Sequence, residues 1–371
     1  MAQMVSNNRA NSGHMDYWLL GAVLVLLCLG VLMVFSASGV MAERLWGDQY
    51  HFFRRHLFYT GLGGLVLAAT AWIPRRVVYK LIYVWLVAAG AGLAVSLSAW
   101  GARAGGAARW VDLGVVSFQP LEVAKVTLVL YLAYFFSRKQ EHIKSFSVGF
   151  LPPVLVTGMF GLLLLLQPDY GGTVYIAAVF FFMSLVGGAR LKYLLPSFVF
   201  AGCAGALLVW QEPYRVRRWL AFLDPFQDAQ DAGYQLVQSL YALGSGGIWG
   251  LGLGASRQKL LFLPEAHNDF ILAVLGEETG FLGISLVFFC LAVLLWRSLA
   301  IALQQPDMQD RLTAYGLGLI LVLGGLLNAA VVLGAVPPKG TPMPFISYGG
   351  TQLVVSCLCA GMLLNISRRE L

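Results

Sequence analysis

Ten long apolar runs, spread along nearly the whole chain, decide what this sequence can fold into. A run of about 20 mostly apolar residues can cross a hydrocarbon core of about 30 Å as a helix. Because a lipid core offers no water to the backbone, helices that pair their own N–H and C=O groups suit such runs. The runs fall near residues 17–39, 54–73, 78–100, 118–137, 148–166, 172–188, 191–210, 268–296, 311–335 and 348–367. The sequence therefore predicts an all-α polytopic membrane protein with about ten transmembrane helices.

The composition agrees with a chain that lies mostly in lipid. Hydrophobic residues make up 58% of the 371 positions and charged residues only 12%, against about 25% charged in an average soluble domain. No run of like charge suggests a nucleic-acid partner. The 5 cysteines show no spacing typical of a disulfide framework or a metal site. These features exclude a soluble domain and a nucleic-acid-binding protein.

The distribution of basic residues orients the predicted helices. If the N-terminus is cytoplasmic, the inner segments carry more Lys and Arg than the short outer loops, which is the bias of the positive-inside rule. We therefore expect both termini in the cytoplasm, with a polar cytoplasmic tail over residues 1–16. A single transmembrane domain then covers residues 17–371, including a long extracytoplasmic loop, residues 211–267, between the seventh and eighth helices.

Two ionisable residues lie inside the fourth apolar run. Glu122 and Lys125 are three positions apart, so they share a helix face and can neutralise each other. An isolated charge in that position would cost about 2.5–3.5 kcal/mol. The pair indicates either a polar interior with a function or a structural ion pair that locks two helices together, and the sequence leaves both open.

The outer segments carry further charged residues that suit more than one role. Basic residues there include Arg109, Arg215, Arg217 and Arg218. Arginine pairs well with phosphates and carboxylates, so they indicate either an anionic ligand or ordinary contacts with solvent and lipid headgroups. Asp169, in the QPDYGGT turn, can cap a helix or line a site. The SYGG segment at 347–350 can hold an anion on its N–H groups or cap the last helix.

An acidic cluster precedes the eighth apolar run. The segment LPEAHNDF places Glu265, His267 and Asp269 directly before it. Asn268 or Asp269 suits the N-cap position of the coming helix. A helix N-terminus lowers the pKa of a carboxylate, whereas burial beside Glu265 raises it. The balance of these effects decides whether Asp269 can act as a base.

Two more acids, Glu277 and Glu278, lie within the eighth run itself. At a rise of about 1.5 Å per residue they lie roughly 12 Å beyond Asp269, too far to act on the same substrate atom. We expect them to serve helix packing or gating. The sequence contains no Ser-His-Asp signature, Walker loop or HExxH motif, so hydrolysis by those routes has no support.

Motifs along nearly the whole chain resemble those of the SEDS family (shape, elongation, division and sporulation), the polytopic peptidoglycan glycosyltransferases of bacteria. The similar segments are FSAS at 35–38, RW at 109–110, FQPLE with Lys125, QPDYGGT, YRVRRWLAFLDPFQD, GYQLVQSL, GSGGIWGLGLGASRQKLLFLPEAHNDF, GEETGFLG and VPPKGTPMPFISYGG. PPKG at 337–340, PEAH and QSLYALGSGG resemble the division member more than the rod-shape member. Leu121 stands where the family usually has Ser, and Thr351 and Gln352 replace two usual Ser residues.

The resemblance implies an enzyme that polymerises lipid II, an undecaprenyl pyrophosphate carrying a disaccharide pentapeptide. It would act at the outer face of the bacterial cytoplasmic membrane during septal wall synthesis. Asp269 matches the family's catalytic carboxylate, a general base on the acceptor GlcNAc 4-OH, with undecaprenyl pyrophosphate as leaving group and inversion at the donor sugar. The expected substrate-binding residues are Arg109, Glu122, Lys125, Asp169, Arg215, Arg217, Arg218, Glu265, His267, Lys339 and Ser347.

Cofactors and competing functions stay open at this point. The sequence shows no dedicated metal cage. It leaves open whether a divalent cation, Mg²⁺ or Mn²⁺, helps the pyrophosphate leave. Broken helices and intramembrane charges would also suit a lipid II flippase or transporter. An elongation polymerase, or a scaffold that only recruits a partner, would fit the sequence as well.

The resemblance also implies partners in the membrane. These are a class B penicillin-binding protein, which crosslinks the strands as a transpeptidase, and other membrane proteins of the divisome. We expect docking on the eighth and ninth helices with part of the 211–267 loop. Small residues allow close helix packing in lipid, and they can serve either docking or the bundle itself. The ninth run offers Gly316, Gly318, Gly324 and Gly325.

Overall fold

A computed structural model of the protein describes most of the predicted transmembrane domain. The described ranges are residues 15–98, 101–104, 107–112, 117–210, 213–231, 233–260, 262–338 and 340–368. The predicted tail lies outside them except for Met15 and Asp16, and so does Lys339. The side chains of Arg215 and Arg218 also lie outside the described part, although their backbone belongs to a helix.

The described chain is mainly helical, with one small sheet. In chain order the helices are α1 (Tyr17–Trp46), α2 (His51–Trp72), α3 (Arg75–Lys80), α4 (Ile82–Val95), α5 (Pro120–Arg138), α6 (Leu151–Leu166), α7 (Tyr170–Gly187), α8 (Leu191–Trp210), α9 (Pro213–Leu223), α10 (Tyr234–Gly246), α11 (Ile271–Gln304), α12 (Met308–Val332) and α13 (Gly350–Ser367). A 3₁₀ turn (Gln140–His142) and a π-helical turn (Phe146–Phe150) join α5 to α6. The antiparallel strands β1 (Gly101–Ala104), β2 (Ala107–Asp112) and β3 (Ser117–Phe118) lie between α4 and α5, in the order β1-β2-β3.

Each predicted apolar run coincides with a helix. In the described ranges, 7 helices are long and apolar enough to span a membrane, namely α1, Phe146–Leu166 (the π-helical turn with α6), α5, α7, α11, α12 and α13. The helices α4 and α8 are apolar but contain shorter uninterrupted apolar stretches. The helix α2 begins with the basic sequence HFFRRH, which lowers its hydropathy. The predicted all-α polytopic membrane fold is confirmed.

Several boundaries differ from the prediction. The third run begins as the separate helix α3 and breaks at Leu81 before α4. The eighth helix runs to Gln304 instead of residue 296. The 211–267 loop, predicted without helices, contains α9 and α10. The sheet was not predicted, because strands of 4, 6 and 2 residues are too short to show a recognisable alternation of apolar and polar residues.

The glycines predicted as a docking face lie inside the bundle. Gly316, Gly318, Gly324 and Gly325 are all buried. A β-carbon at Gly316 would lie 2.4 Å from Cγ1 of Val129, and one at Gly325 would lie 2.8 Å from Cδ2 of Leu291. These glycines let α12 approach α5 and α11 closely. Of the two roles left open for these glycines, the structure therefore supports packing of the bundle and not docking, because the space beside them is filled by the protein's own helices.

The helix α11 is interrupted at Gly280, where φ is 66° and ψ is −160°. Positive φ favours glycine, which has no β-carbon to clash. The segment after α10 pairs with the backbone groups that the break releases, so they are not left unsatisfied. The pairs are Leu251 N to Glu277 O (2.9 Å), Gly252 N to Glu278 O (3.0 Å), Phe281 N to Gly247 O (2.9 Å) and Leu282 N to Ile248 O (3.3 Å).

The side chains of Glu277 and Glu278 fasten the same loop to α11. Both residues are buried. The Glu277 carboxylate accepts a hydrogen bond from the Ser256 hydroxyl. The Glu278 carboxylate lies 2.9 Å from Lys259 Nζ and accepts a hydrogen bond from the Ser36 hydroxyl at 2.6 Å. This placement agrees with the expected packing role for the two acids.

We expect Lys259→Met to destabilise the fold strongly. Removing one partner of a buried ion pair leaves the other charge uncompensated and typically costs about 3–5 kcal/mol, and Glu278 would be that charge. The measurement is the melting temperature in detergent. The matched control is Arg217→Met, because Arg217 pairs with Asp228 and Asp231 at the surface, where such pairs contribute about 0–1 kcal/mol. Equal melting temperatures for the two variants would contradict the buried role of Lys259.

Candidate active site

A polar cleft opens among α5, α7, α12, α13 and the segment before α13. Its walls combine apolar residues, as expected within a bundle, with several polar side chains. These are Gln119, Glu122, Lys125, Asp169, Tyr175, Thr341, Gln352 and Ser356. Deep polar clefts in membrane bundles are typical of substrate sites.

The Glu122–Lys125 pair lies on one side of this cleft. Pro120 occupies the first turn of α5, where it is pre-organised for the helix, and places both side chains on the same face. Lys125 Nζ donates to Glu122 Oε1 at 2.7 Å and lies 4.4 Å from the Tyr175 ring centroid. Because both partners belong to α5 and face the cleft, the pair itself does not lock two helices. This geometry favours the interpretation of the pair as part of a polar interior.

Asp169 and Arg109 form a second pair at the cleft. Asp169 is the N-cap of α7, and its Oδ1 accepts a hydrogen bond from Gly172 N at 3.0 Å. Arg109, in the middle of β2, places its Nε 3.5 Å from the same carboxylate oxygen. The sheet that the sequence did not predict therefore positions one of the predicted site residues. Asp169 serves both as a helix cap and as part of the cleft wall.

Asp269 lies where Arg109 and the cleft meet. A β-carbon added to Gly340, which lines the cleft, would lie 3.0 Å from Asp269 Oδ2 and 3.7 Å from Arg109 Nη1. The carboxylate and the guanidinium therefore both border the backbone of Gly340. Four predicted site residues, namely Arg109, Glu122, Lys125 and Asp169, come together with Asp269 around one cleft.

The carboxyl of Asp269 is not used to cap the helix that follows. Helix α11 begins at Ile271, and Phe270 occupies its N-cap position without a side-chain capping bond in the described structure. The prediction that Asn268 or Asp269 caps this helix is therefore wrong. The reason is a turn over residues 265–270, in which Glu265 O accepts from Asn268 N and Phe270 N and delays the helix start.

Three hydrogen bonds hold the backbone around Asp269. Asn328, in α12, donates from Nδ2 to the backbone oxygens of Asp269 and Thr341. The lengths are 2.8 Å for Asn328 Nδ2 to Asp269 O, 2.7 Å for Ser347 Oγ to Asn268 O, and 3.0 Å for Tyr348 N to His267 O. Sequence reasoning missed Asn328, although an amide inside an apolar run is a signal that could have found it.

The environment of Asp269 changes its acidity. Burial and, to a smaller extent, the negative charge of Glu265 raise the pKa of its carboxyl, and the positive charge of Arg109 lowers it, so that the pKa moves from the ordinary value of 3.8 to about 7. Burial thus outweighs the neighbouring cation. A carboxyl with a pKa near neutrality is partly ionised at pH 7 and basic enough to take a proton from a hydroxyl.

Ser347 and His267 were predicted to bind substrate, but neither residue lines the cleft. The Ser347 hydroxyl accepts a hydrogen bond from Met343 N at 2.7 Å and donates to Asn268 O, so its hydrogen-bonding capacity serves the protein itself. His267 is stacked against Phe52, with ring centroids 4.7 Å apart, and burial lowers the pKa of its imidazole. The positions of both residues favour support of the Asp269 loop over the predicted contact with substrate.

Glu265 and Arg217 also lie away from the cleft. Glu265 is exposed, with a positive φ of 57°, and reaches Asp269 through its charge. Arg217 Nη2 lies 3.2 Å from Asp228 and 2.8 Å from Asp231, so its charge is neutralised within the loop. The direct substrate contacts predicted for these two residues are therefore not supported by their positions.

The described residues do not provide a metal site. Among them, no group of three or more His, Cys, Asp and Glu side chains could hold a metal ion. The acids in the cleft, Glu122 and Asp169, each lie beside a basic side chain. A magnesium site would need several oxygen ligands at one point, and the described residues do not fit that requirement.

Comparison with known proteins identifies the family. The family of FtsW, RodA and SpoVE, described as "Cell cycle protein", matches residues 17–371. A probable peptidoglycan glycosyltransferase FtsW from Geobacter sp. (strain M18) is 40% identical over 359 residues, which cover 95% of this chain and 97% of the relative. Stage V sporulation protein E from Bacillus subtilis (strain 168) is 36% identical, over 95% of this chain and 97% of the relative.

Solved structures share the fold. One chain, from a study of the structural coordination of polymerization and crosslinking by a peptidoglycan synthase complex, has a TM-score of 0.78 and 29% identity, over 95% of this chain and 98% of that chain. The rod shape determining protein RodA of Thermus thermophilus has a TM-score of 0.69 and 28% identity, over 98% of both chains.

These relatives confirm three predictions. The greater resemblance to the division member agrees with the name FtsW of the relative at 40% identity. The predicted enzyme class, a glycosyltransferase, is the one that this name carries, and the 7 apolar helices agree with an integral membrane protein. The chain belongs to the SEDS family of cell-cycle proteins, the family of FtsW, RodA and SpoVE.

Proposed function

We propose that the protein polymerises lipid II into glycan strands, with Asp269 as the general base. The observation that carries this proposal is the position of the Asp269 carboxyl, with its pKa raised to about 7, beside Arg109 and a cleft that contains Lys125. The family membership supports the choice of substrate, because the FtsW relative is named as a probable peptidoglycan glycosyltransferase.

The reaction requires one proton transfer and one displacement. The acceptor GlcNAc 4-OH attacks C1 of the donor MurNAc, and Asp269 takes its proton as the new C–O bond forms. The bond between C1 and the pyrophosphate oxygen breaks in line, so undecaprenyl pyrophosphate leaves with the electron pair. One displacement converts the α linkage to β, as in inverting glycosyl chemistry. The chain supplies the base, and the two substrates supply the attacking hydroxyl and the leaving group.

The basic residues of the cleft suit the leaving group. Negative charge grows on the pyrophosphate as the bond breaks, and fixed positive charges stabilise it. Lys125 has three donors, and one of them goes to Glu122, which leaves donors for a phosphate oxygen. The acids Glu122 and Asp169 neutralise these two partly buried cations before substrate arrives.

The membrane orientation belongs to the same proposal. We place both termini in the cytoplasm and the cleft at the outer face, because the Lys and Arg distribution follows the positive-inside rule in that orientation. The starts of α5, α7, α11 and α13 carry Glu122, Asp169, Asp269 and the SYGG segment. The name FtsW of the relative at 40% identity supports action at the division septum of the bacterial cytoplasmic membrane.

A class B penicillin-binding protein is the proposed partner. The solved neighbour comes from a study of polymerization and crosslinking in one peptidoglycan synthase complex. We place the docking face on α11, which presents large exposed apolar side chains in this chain. They are Phe281, Phe289, Trp296 and Leu303.

The test is polymerisation by purified protein. The chain is reconstituted in proteoliposomes with its penicillin-binding partner, whose transpeptidase is blocked by a β-lactam, and is given labelled lipid II. We expect a ladder of glycan strands on a gel together with release of undecaprenyl pyrophosphate. The break in α11 is the feature that favours a flippase. Movement of lipid II across the bilayer without any polymer would overturn the polymerase proposal in favour of a flippase.

A further inference from the structure

Two polar atoms on the cleft wall have no hydrogen-bond partner in the part of the chain that the structure describes. They are Thr341 Oγ1 and Gln352 Oε1, and both residues line the cleft. Gln352 is only 6% exposed. Buried polar atoms are nearly always paired in native proteins, so two such atoms on one wall indicate a ligand.

The hydrogen bond that Gln352 makes shows which atom of its amide is unpaired. Its Nε2 donates to Pro342 O at 2.7 Å. Because Pro342 O can only accept, the atom bonded to it is the amide nitrogen, and the unpaired atom is the carbonyl oxygen Oε1. The unpaired atom of this cleft-lining residue is therefore an acceptor, and its partner must have an N–H or O–H group.

Thr341 is held in place by its backbone, which leaves its hydroxyl available. Its carbonyl oxygen accepts a hydrogen bond from Asn328 Nδ2 at 2.7 Å, and the same amide group holds Asp269 O. Thr341 also follows Gly340, the residue that borders the Asp269 carboxylate. A ligand at the Thr341 hydroxyl would therefore lie close to the proposed base.

The chemistry of these two groups differs from that of the rest of the cleft. Lys125 and Arg109 provide positive charge for phosphate, whereas a carbonyl oxygen repels an anion. The cleft thus has a basic part and an uncharged part. An acceptor beside a hydroxyl suits an acetamido N–H or a sugar hydroxyl, which are the donors of an N-acetylated hexosamine.

We propose that Thr341 and Gln352 form a subsite for the uncharged sugar part of the substrate, an N-acetylated hexosamine. Gln352 Oε1 accepts a hydrogen bond from the sugar, and Thr341 Oγ1 makes a second one. The inference rests on the proposed polymerase function. It also explains a departure of this chain, because Gln352 stands where the family usually has Ser and its longer side chain reaches Pro342 O while it lines the cleft.

Thr341→Val is the first test, because it removes the hydroxyl and keeps the shape. Since the described protein makes no hydrogen bond to this hydroxyl, the melting temperature should be unchanged or higher. We expect the KM for lipid II to rise about five- to tenfold, the loss of one hydrogen bond to a ligand, with little change in kcat. Gln352→Met keeps the length but removes both the acceptor and the Nε2 bond to Pro342 O, so it should lower the melting temperature and raise KM by at least about tenfold.

Thr351→Val is the matched control, the same chemical change outside the cleft lining. The Thr351 hydroxyl accepts a hydrogen bond from Gln119 N at 3.2 Å, so its loss leaves a buried N–H unpaired. We expect a lower melting temperature and an unchanged KM for lipid II. The two threonine variants should therefore show opposite patterns, which a purely structural role for Thr341 would not produce.

The experiments distinguish an error in the proposed subsite from an error in the proposed polymerase function. Lipid II binding is measured in parallel in an Asp269→Asn background, where the ligand is not consumed, and should weaken by the same factors in Thr341→Val and Gln352→Met. A wild-type protein that makes no polymer would overturn the proposed function. A wild-type protein that polymerises lipid II, with KM and binding unchanged in both cleft variants, would overturn the subsite alone.

Discussion

Asp269→Asn is expected to abolish polymerisation of lipid II, lowering kcat/KM by about 10²- to 10⁴-fold, the usual contribution of a general base. Asparagine has nearly the same shape but cannot take the proton of the acceptor hydroxyl. The backbone bonds from Asn328, Ser347 and Tyr348 reach carbonyl oxygens around this residue, so the substitution leaves them in place. The protein should therefore fold and insert, with a melting temperature close to that of the wild type.

Glu265→Gln is the control for this substitution. It also removes one negative charge from the same segment, but Glu265 is exposed and influences Asp269 only through its charge. We expect activity within a few fold of the wild type. Near-normal glycan synthesis by Asp269→Asn, or an equal loss in Glu265→Gln, would contradict the assignment of Asp269 as the base.

The second large effect is expected at the Glu122–Lys125 pair. Each single change, Glu122→Lys or Lys125→Glu, places two like charges within one turn of α5 and leaves them buried, which typically costs about 3–5 kcal/mol of stability. Both should lose activity and melt at lower temperature. The double variant restores an ion pair with the charges exchanged, so its melting temperature should recover.

Activity of the double variant separates a structural pair from a functional one. In the wild type, Lys125 Nζ lies over the Tyr175 ring and beside the cleft, and the exchange moves the positive charge by one turn of the helix. We therefore expect polymerisation to remain lost although the fold recovers. Recovery of activity together with stability would show that the pair only holds the bundle, and would contradict its contact with substrate.

The helices could be predicted from the sequence because lipid imposes a length and a polarity on each of them. A helix in lipid depends on residues that are neighbours in sequence, as the apolar runs show. The break at Gly280 could not be predicted, because it depends on hydrogen bonds from residues 247–252, a remote loop. The three-stranded sheet depends in the same way on pairing between segments that are individually too short to recognise.

Several charged residues of the candidate site were predicted from the sequence, whereas its neutral residues were missed. Arg109, Lys125 and Asp269 stand out in an apolar chain because a charge in lipid needs a reason. Ser347 was misassigned, because a sequence does not show that its hydroxyl is already used by Met343 N and Asn268 O. Whether a polar side chain serves the protein or a ligand depends on partners that only the folded chain brings together.

The pH dependence of kcat/KM for lipid II tests the role of Asp269 most directly. The base must be ionised to act, so a carboxyl with a pKa near 7 predicts that kcat/KM rises with pH through about 7 and levels off above it. Glu265 raises the pKa of Asp269, so Glu265→Gln should move the midpoint to lower pH. A profile that is flat from about pH 5.5 to about pH 8.5, or a midpoint that Glu265→Gln leaves in place, would contradict Asp269 as the proton acceptor.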